Sequence, residues 1–224
     1  MYKQYFNGKT VVGKGKLRQV FNPATGERVA EFPGATREQT LEALAAAQNA
    51  FKSWSVTPIN ERISWMLKLR EACLADKEKI INLVIAESGR PLAAATGDFN
   101  WFILSMHHYG EDMKRLNGAV MPSLSQPYGK TSYFVERRPI GVVVGHIAWN
   151  YPLGNAGIKI APAMASGCPC IIKPSSETPL SLLYIGALAE KIGLPAGVLN
   201  ILSGPADEVG RTLNSSTIPR MITL

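Results

Sequence analysis

The spacing of apolar residues divides the chain into a helical region and a region where strands and helices alternate. Between Thr36 and Leu116, apolar side chains recur every three or four residues, a spacing that predicts four amphipathic helices. From Gly141 onward, short continuous apolar runs alternate with helical segments. Such runs are typical of parallel strands that are buried on both faces. The pattern therefore predicts an α/β protein, with a helical segment followed by a parallel βαβαβ sheet.

Turn and cap residues set the boundaries of the first elements. A turn containing Pro and Gly at 22–26 separates two short predicted strands. Thr36, followed three residues later by Gln39, gives a capping-box pattern at the start of the first helix. Asp76 is placed to cap the third helix, and the Gly and Pro within 87–91 are placed to end it.

The segment 118–138 interrupts the helical pattern. Residues 118–130 are rich in Pro, Ser and Gly, which predicts a loop. In the strand predicted at 131–138, both faces are partly apolar. This pattern fits a strand that pairs with another chain, and it fits equally an edge strand that lies over a core.

One strand–helix–strand unit, 141–174, carries the candidate chemistry. In open α/β sheets, ligands bind just beyond the carboxyl ends of the strands. The polar residues Asn150, Lys159, Lys173 and Ser176 follow these strand ends or lie in the helix between them. The sequence therefore predicts a ligand site at this edge of the sheet.

The composition is that of an ordinary globular protein. Of the 224 residues, 46% are hydrophobic and 18% are charged, which excludes a disordered chain. No apolar run approaches the roughly 20 residues that span a bilayer, and the N-terminus lacks the apolar core of a signal peptide. The three cysteines form no disulfide framework, as expected in a reducing compartment. We therefore expect a cytoplasmic protein with no membrane segment.

The distribution of basic residues argues against a nucleic-acid partner, and the spacing of the cysteines argues against a metal site. The formal net charge is +7, but the basic residues are scattered, and the densest cluster, 136–138, contains an acid of its own. Without a basic stripe or a recognition motif, we expect no nucleic-acid partner and interpret the charge as attracting anionic cofactors. Cys168 and Cys170 do not form a Cys-x-x-Cys pair, and the sequence offers no other ligand cluster, so no metal site is predicted.

An ordered series of short motifs along essentially the whole chain resembles the aldehyde dehydrogenase superfamily. The motifs include Asn22-Pro23-Ala24-Thr25-Gly26-Glu27, Glu87-Ser88-Gly89-Arg90-Pro91, Trp149-Asn150-Tyr151-Pro152, Lys173-Pro174-Ser175 and Gly193-Leu194-Pro195. The resemblance implies a Rossmann-like domain that lacks the Gly-x-Gly-x-x-Gly loop. It also implies an NAD(P)-dependent oxidoreductase that converts an aldehyde, semialdehydes included, to the carboxylic acid through a cysteine thiohemiacetal. The full-length protein is then expected to be a homodimer or homotetramer.

The resemblance assigns two residues to catalysis. Asn150 matches the asparagine that donates a hydrogen bond to the oxyanion, but an Asn before Pro152 is also a good helix N-cap. Lys159 matches a lysine near the active site that takes part in proton transfer. As the only charge in its helix, Lys159 could instead lie on a solvated face, or it could be buried with a lowered pKa.

The cofactor assignments centre on the end of the second strand. Lys173 can bond to ribose hydroxyls or a phosphate, although a solvated lysine at a strand end is the simpler interpretation. Many NAD-using relatives carry a glutamate where this chain has Ser176, and removal of that carboxylate removes repulsion against a 2′-phosphate. We therefore predict NADP as cofactor, with NAD as the alternative. The other residues assigned to the cofactor are Ile147, Ala148, Trp149, Ser175, Gly204 and Asp207.

The resemblance also assigns a substrate tunnel to the helix after the first strand. The residues expected to line it are Tyr151, Gly154, Asn155 and Ile158, although core packing explains Ile158 equally well. Many relatives carry a larger residue than Gly154, so the tunnel is expected to be roomy or polar.

The chain stops within its last predicted strand, 221–224, so we expect the sheet to be incomplete at the C-terminus. Cys73, Cys168 and Cys170 do not match the family nucleophile, and the general-base glutamate is also missing. We therefore expect the chain alone to be inactive. The alternative is a catalytically inactive fragment that binds a nucleotide or mediates oligomerisation. The identity of the aldehyde, and the choice between acid-forming and CoA-acylating chemistry, stay open.

Three parts of the chain follow from these assignments. Residues 1–120 form the hairpin and helices of the cofactor-binding domain. Residues 121–138 form a linker and the strand of an oligomerisation arm. Residues 139–224 form the Rossmann-like NAD(P)-binding core, truncated at its end.

Overall fold

The computed structural model describes residues 2–124 and 131–224. The strands in this part of the chain are β1 (Gln4–Phe6), β2 (Lys9–Val11), β3 (Leu17–Phe21), β4 (Arg28–Pro33), β5 (Ala119–Pro122), β6 (Ser132–Val135), β7 (Val142–His146), β8 (Cys170–Lys173), β9 (Leu199–Ile201) and β10 (Pro219–Thr223). The helices are α1 (Arg37–Trp54), α2 (Ile59–Ala75), α3 (Lys77–Ser88), α4 (Leu92–Met113), α5 (Pro152–Ala165), α6 (Leu180–Lys191) and α7 (Arg211–Ser215). A π-helical turn, Ala206–Gly210, lies directly before α7. The predicted α/β class is confirmed.

Six strands form one sheet, in the order β10-β7-β8-β9-β1-β2. The strands β10, β7, β8 and β9 are parallel, as predicted, whereas β1 runs antiparallel to both β9 and β2. The hairpin of β1 and β2 is held in the sheet in part by Gln4. Its side chain accepts the Ser203 N–H at 2.7 Å and donates to the Pro33 carbonyl at 3.2 Å. The sequence pattern does not predict this extension, because strands of three residues are too short to show an alternation.

Helices cover both faces of the sheet, because alternate residues of β7 and β8 enter two different cores. Val144 and Ile171 pack in a smaller core with residues of α1 and α7. Val143 and Ile172 belong to a larger core to which α2 to α6 contribute. Full burial of such a side chain contributes about 1.5–3 kcal/mol. The two cores together fix the position of the carboxyl ends of both strands.

Helix α5 is held tightly along its length. At Gly157 a Cβ atom would lie 3.0 Å from the Phe102 Cα, so the glycine allows α4 and α5 to approach closely. At the other end of α5, the Arg62 Nε donates to the Ala165 carbonyl at 2.9 Å. A cation there also matches the negative end of the helix dipole. This packing fixes the N-terminal end of α5, where the candidate site lies.

The predicted helix caps are partly confirmed. At α1, the Thr36 hydroxyl accepts the Gln39 N–H, and the Gln39 side chain accepts the Thr36 N–H, both at 3.3 Å. The predicted cap of α3 is wrong, because the Asp76 side chain makes no bond to the helix that it precedes. The Asp76 carboxylate instead accepts the hydroxyl of Tyr184 from α6. Asp76 therefore joins two helices rather than capping one.

The hairpin of β5 and β6 is separate from the main sheet. Strand β6 confirms the strand expected within 131–138. Strand β5 corrects the loop predicted at 118–130, of which 125–130 lie outside the described residues. All residues of β5 and β6 are exposed, Val120 and Phe134 among them, so no core formed by the described residues lies beneath the hairpin. The interpretation as an edge strand over a core is therefore wrong, and pairing with another chain stays a prediction.

Candidate active site

The carboxyl ends of β7 and β8 lie side by side. The parallel register pairs His146 with Lys173, and the Ile147 N–H donates to the Lys173 carbonyl at 2.9 Å. The loops 147–151 and 174–179 therefore start from the same edge of the sheet. We call them the β7 loop and the β8 loop. Their adjacency brings the two groups of predicted site residues to one place.

Asn150 is exposed in the β7 loop. Its Oδ1 accepts a hydrogen bond from the Asn155 Nδ2 at 3.4 Å, while its own Nδ2 donates no hydrogen bond to the residues that the structure describes and can therefore donate to a ligand. The alternative role of Asn150 as a helix cap is wrong. The N-cap position of α5 is Tyr151, and no side chain at that position bonds to the helix.

The first amides of α5 are capped by a residue from another helix. The Asp98 carboxylate, on α4, accepts the Leu153 N–H at 3.1 Å and the Gly154 N–H at 2.8 Å. Burial raises the pKa of Asp98, while the two amides and the charge of Arg90 oppose that rise. The sequence reasoning missed this residue. The available signal is a lone acid in an otherwise apolar part of α4.

Lys159 is buried rather than solvated. Its side chain is 9% exposed, and its Nζ lies 3.4 Å from the Asn155 carbonyl oxygen. A Cβ atom at Gly145 of β7 would lie 3.1 Å from the Lys159 Cδ, so the stem of the lysine crosses the strand at a glycine. Burial lowers the pKa of Lys159. The ammonium is therefore easier to deprotonate than that of a solvated lysine.

Lys173 is also buried, at 7% exposed, which contradicts the solvated alternative. Its only hydrogen bond within the described chain is a long one, 3.5 Å, to the Pro174 carbonyl, and it forms no ion pair with an acid there. Burial lowers the pKa of Lys173, and the nearby charge of Arg18 lowers it further. A buried cation that lacks an acidic partner is suited to an anionic ligand.

Lys173 faces an open cavity of about 730 Å³ that Asp207 and Gly210 also line. Of the other predicted cofactor residues, Ser175 and Ser176 are half-buried in the β8 loop, Ile147 is buried, and Ala148 and Trp149 are exposed.

Gly204 does not line the cavity beside Lys173. A Cβ atom at Gly204 would lie 2.5 Å from Val209 and 2.9 Å from the Ala35 carbonyl oxygen, so its role here is close packing.

The four predicted substrate residues share a second cavity of about 490 Å³. Tyr151, Gly154, Asn155 and Ile158 line it together with residues of α4. The space that Gly154 leaves is not empty. A Cβ atom there would lie 3.0 Å from the Asp98 carboxylate and 3.4 Å from the Trp101 indole. The cavity is thus narrowed from the α4 side, and of the two expectations, a roomy or a polar tunnel, the carboxylate at Gly154 favours the polar one.

The three cysteines of the chain are buried. Burial raises the pKa of Cys73 to about 12, and the charge of Asp76 adds to the rise. Burial raises the pKa of Cys170 as well. A nucleophilic cysteine needs an accessible thiolate of low pKa, and these two thiols have the opposite properties.

None of the helices in the described part of the chain is both long enough and apolar enough to cross a bilayer. In 2–124 and 131–224, no group of three or more His, Cys, Asp or Glu side chains could hold a metal ion.

Comparisons with known proteins point to one family. The model of the aldehyde dehydrogenase family matches residues 11–224. The chain is 35% identical over 206 residues to 3-sulfolactaldehyde dehydrogenase of Pseudomonas putida, covering 92% of this chain and 42% of that protein. It is 34% identical over 220 residues to glutarate-semialdehyde dehydrogenase of Pseudomonas aeruginosa, covering 98% and 45%.

Solved structures agree with the sequence matches. An aldehyde dehydrogenase from Brucella melitensis biovar abortus matches with a TM-score of 0.92 and 32% identity, covering 99% of this chain and 46% of that chain. An NADP-dependent glyceraldehyde-3-phosphate dehydrogenase from Bacillus halodurans, in complex with NADP, matches with a TM-score of 0.92 and 28% identity, covering 99% and 47%. The chain spans less than half the length of the relatives named here.

Proposed function

The chain belongs to the aldehyde dehydrogenase family, and we propose that it supplies the cofactor-binding part of an NAD(P)-dependent oxidation of an aldehyde to its carboxylic acid. One observation carries this proposal. Asn150, with a free amide donor, and Lys173, a buried cation with no acidic partner in the described chain, follow neighbouring parallel strands. That is the edge at which open α/β sheets bind nucleotides.

The proposed chemistry needs a donor for negative charge. When a cysteine thiolate attacks the aldehyde carbonyl, the oxygen becomes an oxyanion, which the Asn150 Nδ2 would stabilise. Loss of one such donor typically costs about 2.7–4 kcal/mol of barrier. When bound, a nicotinamide cofactor would supply the acceptor for the hydride that leaves the aldehyde carbon.

Lys159 is proposed to move a proton at its Nζ. Its lowered pKa results from burial, and its ammonium lies beside the Asn155 carbonyl, one helical turn beyond the β7 loop. A lysine of lowered pKa gives up its proton more readily than a solvated lysine and can take one back. The lysine would then act after the thiolate attack, when the thioester is hydrolysed.

The cofactor is proposed to be NADP, with NAD as the alternative. Lys173 and Arg18 place positive charge at the end of β8, and Ser176 offers a hydroxyl at the position where a carboxylate would repel a 2′-phosphate. The cavity of about 730 Å³ beside Lys173 is open enough for a nucleotide. The residues present therefore fit an anionic dinucleotide.

The substrate is proposed to be an aldehyde that enters the cavity of about 490 Å³ between α4 and α5. One relative is named a glutarate-semialdehyde dehydrogenase, and this keeps semialdehydes among the candidates. We also propose a cytoplasmic location, on the basis of the three unpaired cysteines.

A second candidate function is supported by the β5–β6 hairpin. Its exposed apolar side chains, such as Val120 and Phe134, suit contact with a second copy of the chain in a homodimer or homotetramer. In this alternative the chain is a catalytically inactive nucleotide-binding or oligomerisation fragment.

The test is a fluorescence titration of the 224-residue chain with NADP and with NAD, followed by an assay for NADPH formation from aldehydes. We expect NADP binding without turnover, because none of the three cysteines is accessible. Turnover that Asn150→Ala abolishes would contradict the claim that the nucleophile lies elsewhere. Equal and undetectable affinity for both nucleotides would contradict the cofactor role, and at least tenfold tighter NAD binding would contradict the Ser176 argument.

A further inference from the structure

Arg90 lies outside the residues assigned above, yet it reaches the β7 loop from the connection between α3 and α4. Its neighbours in sequence hold it in place. Gly89 adopts φ of 66°, and a Cβ atom there would lie 2.9 Å from Pro23, so only glycine suits the position. Pro91, at the N-cap position of α4, restricts the backbone of Arg90 to extended conformations. The start of the Arg90 side chain is therefore fixed.

Two contacts join Arg90 to the β7 loop. The guanidinium Nη2 donates to the carbonyl oxygen of Asn150. The guanidinium carbon lies 3.9 Å from the centre of the Tyr151 ring, in a cation–π contact. One side chain thus contacts two consecutive residues of the loop.

A second residue, Asp98, holds the chain just after Tyr151, at the start of α5. Arg90 holds the backbone before α5, while the Asp98 carboxylate holds the Leu153 and Gly154 amides in its first turn. The charge of Arg90 also opposes the rise in the pKa of Asp98. Arg90 therefore holds Asn150 and Tyr151, and Asp98 holds the helix that begins directly after them.

We propose that Arg90 is a positioning residue, which fixes the backbone at Asn150 and Tyr151 and so limits the movement of the Asn150 side chain that carries the proposed oxyanion donor. The inference rests on the proposed role of Asn150 as oxyanion donor. The carbonyl contact restrains the peptide plane that follows Asn150, and the ring contact restrains the next side chain. The amide of Asn150 then needs little reorganisation before it donates, which is how such donors achieve their effect.

The chemistry of arginine explains why this residue type is needed. A guanidinium is planar, so it donates hydrogen bonds at its edge while its face stacks on an aromatic ring. A lysine ammonium can make either contact from a flexible stem, but it holds both less firmly. Arg90→Lys is therefore expected to restore the function only in part.

The test is ¹⁵N relaxation of the 224-residue chain, which measures backbone order residue by residue. In Arg90→Ala, we expect the order parameters of 149–151 to fall from about 0.85 to below about 0.6, while those of the β8 loop stay unchanged. Arg90→Lys should give intermediate values. Arg115→Ala removes an exposed arginine paired with Asp112, and it should leave both loops as in the wild type.

Unchanged order at 149–151 in Arg90→Ala would overturn the proposal, as would an equal loss of order in both loops. If Arg90→Ala fails to fold, Tyr151→Leu removes the ring contact alone and should loosen 149–151 with the β8 loop unaffected. Unchanged order at 149–150 in that variant would also overturn the proposal. These readouts need no turnover, so failure of the proposed oxidation appears separately, in the nucleotide titration.

Discussion

The N-termini of α5 and α6 are built alike but differ in their electrostatics. Each follows a parallel strand, and each is capped by a carboxylate from a distant element, Asp98 for α5 and Glu87 for α6. Asp98 has the cation Arg90 nearby, whereas burial raises the pKa of Glu87 to about 8, with a further rise caused by Asp98. The α6 cap is thus a buried carboxyl group with a raised pKa, whereas the α5 cap belongs to a cluster of charged groups next to an exposed loop. The α6 cap therefore anchors a helix in the core, whereas the α5 cap lies next to the loop that carries the proposed site.

The largest expected effect is on the structural anchor. Glu87→Ala leaves the Leu180 and Ser181 amides and the Ser181 hydroxyl without their acceptor in a buried place. At about 1–3 kcal/mol for each buried group, the free energy of unfolding should fall by about 4 kcal/mol. Urea denaturation measures it, with Ser181→Ala as the matched control at about 1 kcal/mol. Equal losses in the two variants would show that Glu87 is not the anchor.

The second effect concerns pH. The pKa of Glu87 is raised in the folded state to about 8 from 4.5, so the folded state binds the extra proton between these values. The stability that this proton contributes is full below the unfolded pKa and is lost as pH rises through about 8. From about pH 5 to about pH 9, the wild type should therefore lose about 4 kcal/mol relative to Glu87→Gln. Parallel curves of unfolding free energy against pH for the two proteins would contradict this assignment.

The smallest of the stability effects is expected at the α5 cap, next to the proposed site. Asp98→Ala removes the acceptor of the Leu153 and Gly154 amides, but these border a cavity that water can enter. The free energy of unfolding should fall by about 2 kcal/mol, measured by urea denaturation. Asp112→Ala, at an exposed position of the same helix, is the control and should change stability by less than about 0.5 kcal/mol. A larger loss in Asp98→Ala than in Glu87→Ala would reverse the comparison between the two caps.

The N-termini of α5 and α6 also show which features of the structure can be predicted from the sequence and which cannot. The apolar runs of β7 and β8 predict the parallel strands, and the polar residues after them predict the site edge, because both signals are local. Both caps come from distant parts of the chain: Asp98 is 55 residues from Leu153, and Glu87 is 93 residues from Leu180. A local pattern cannot show such partners. For that reason, the sequence allowed Asn150 to be interpreted as a cap and did not assign a role to Arg90.

We propose that the two strand ends have different roles, with cofactor binding at Lys173 of β8 and oxyanion stabilisation at Asn150 after β7. The most direct test is isothermal titration of NADP into the 224-residue chain and into its Lys173→Met and Asn150→Ala variants. We expect Lys173→Met to weaken NADP binding at least about tenfold, or about 1.4 kcal/mol, and Asn150→Ala to bind NADP within about twofold of the wild type. Binding by Lys173→Met at the affinity of the wild type, or an equal loss in both variants, would contradict this proposal.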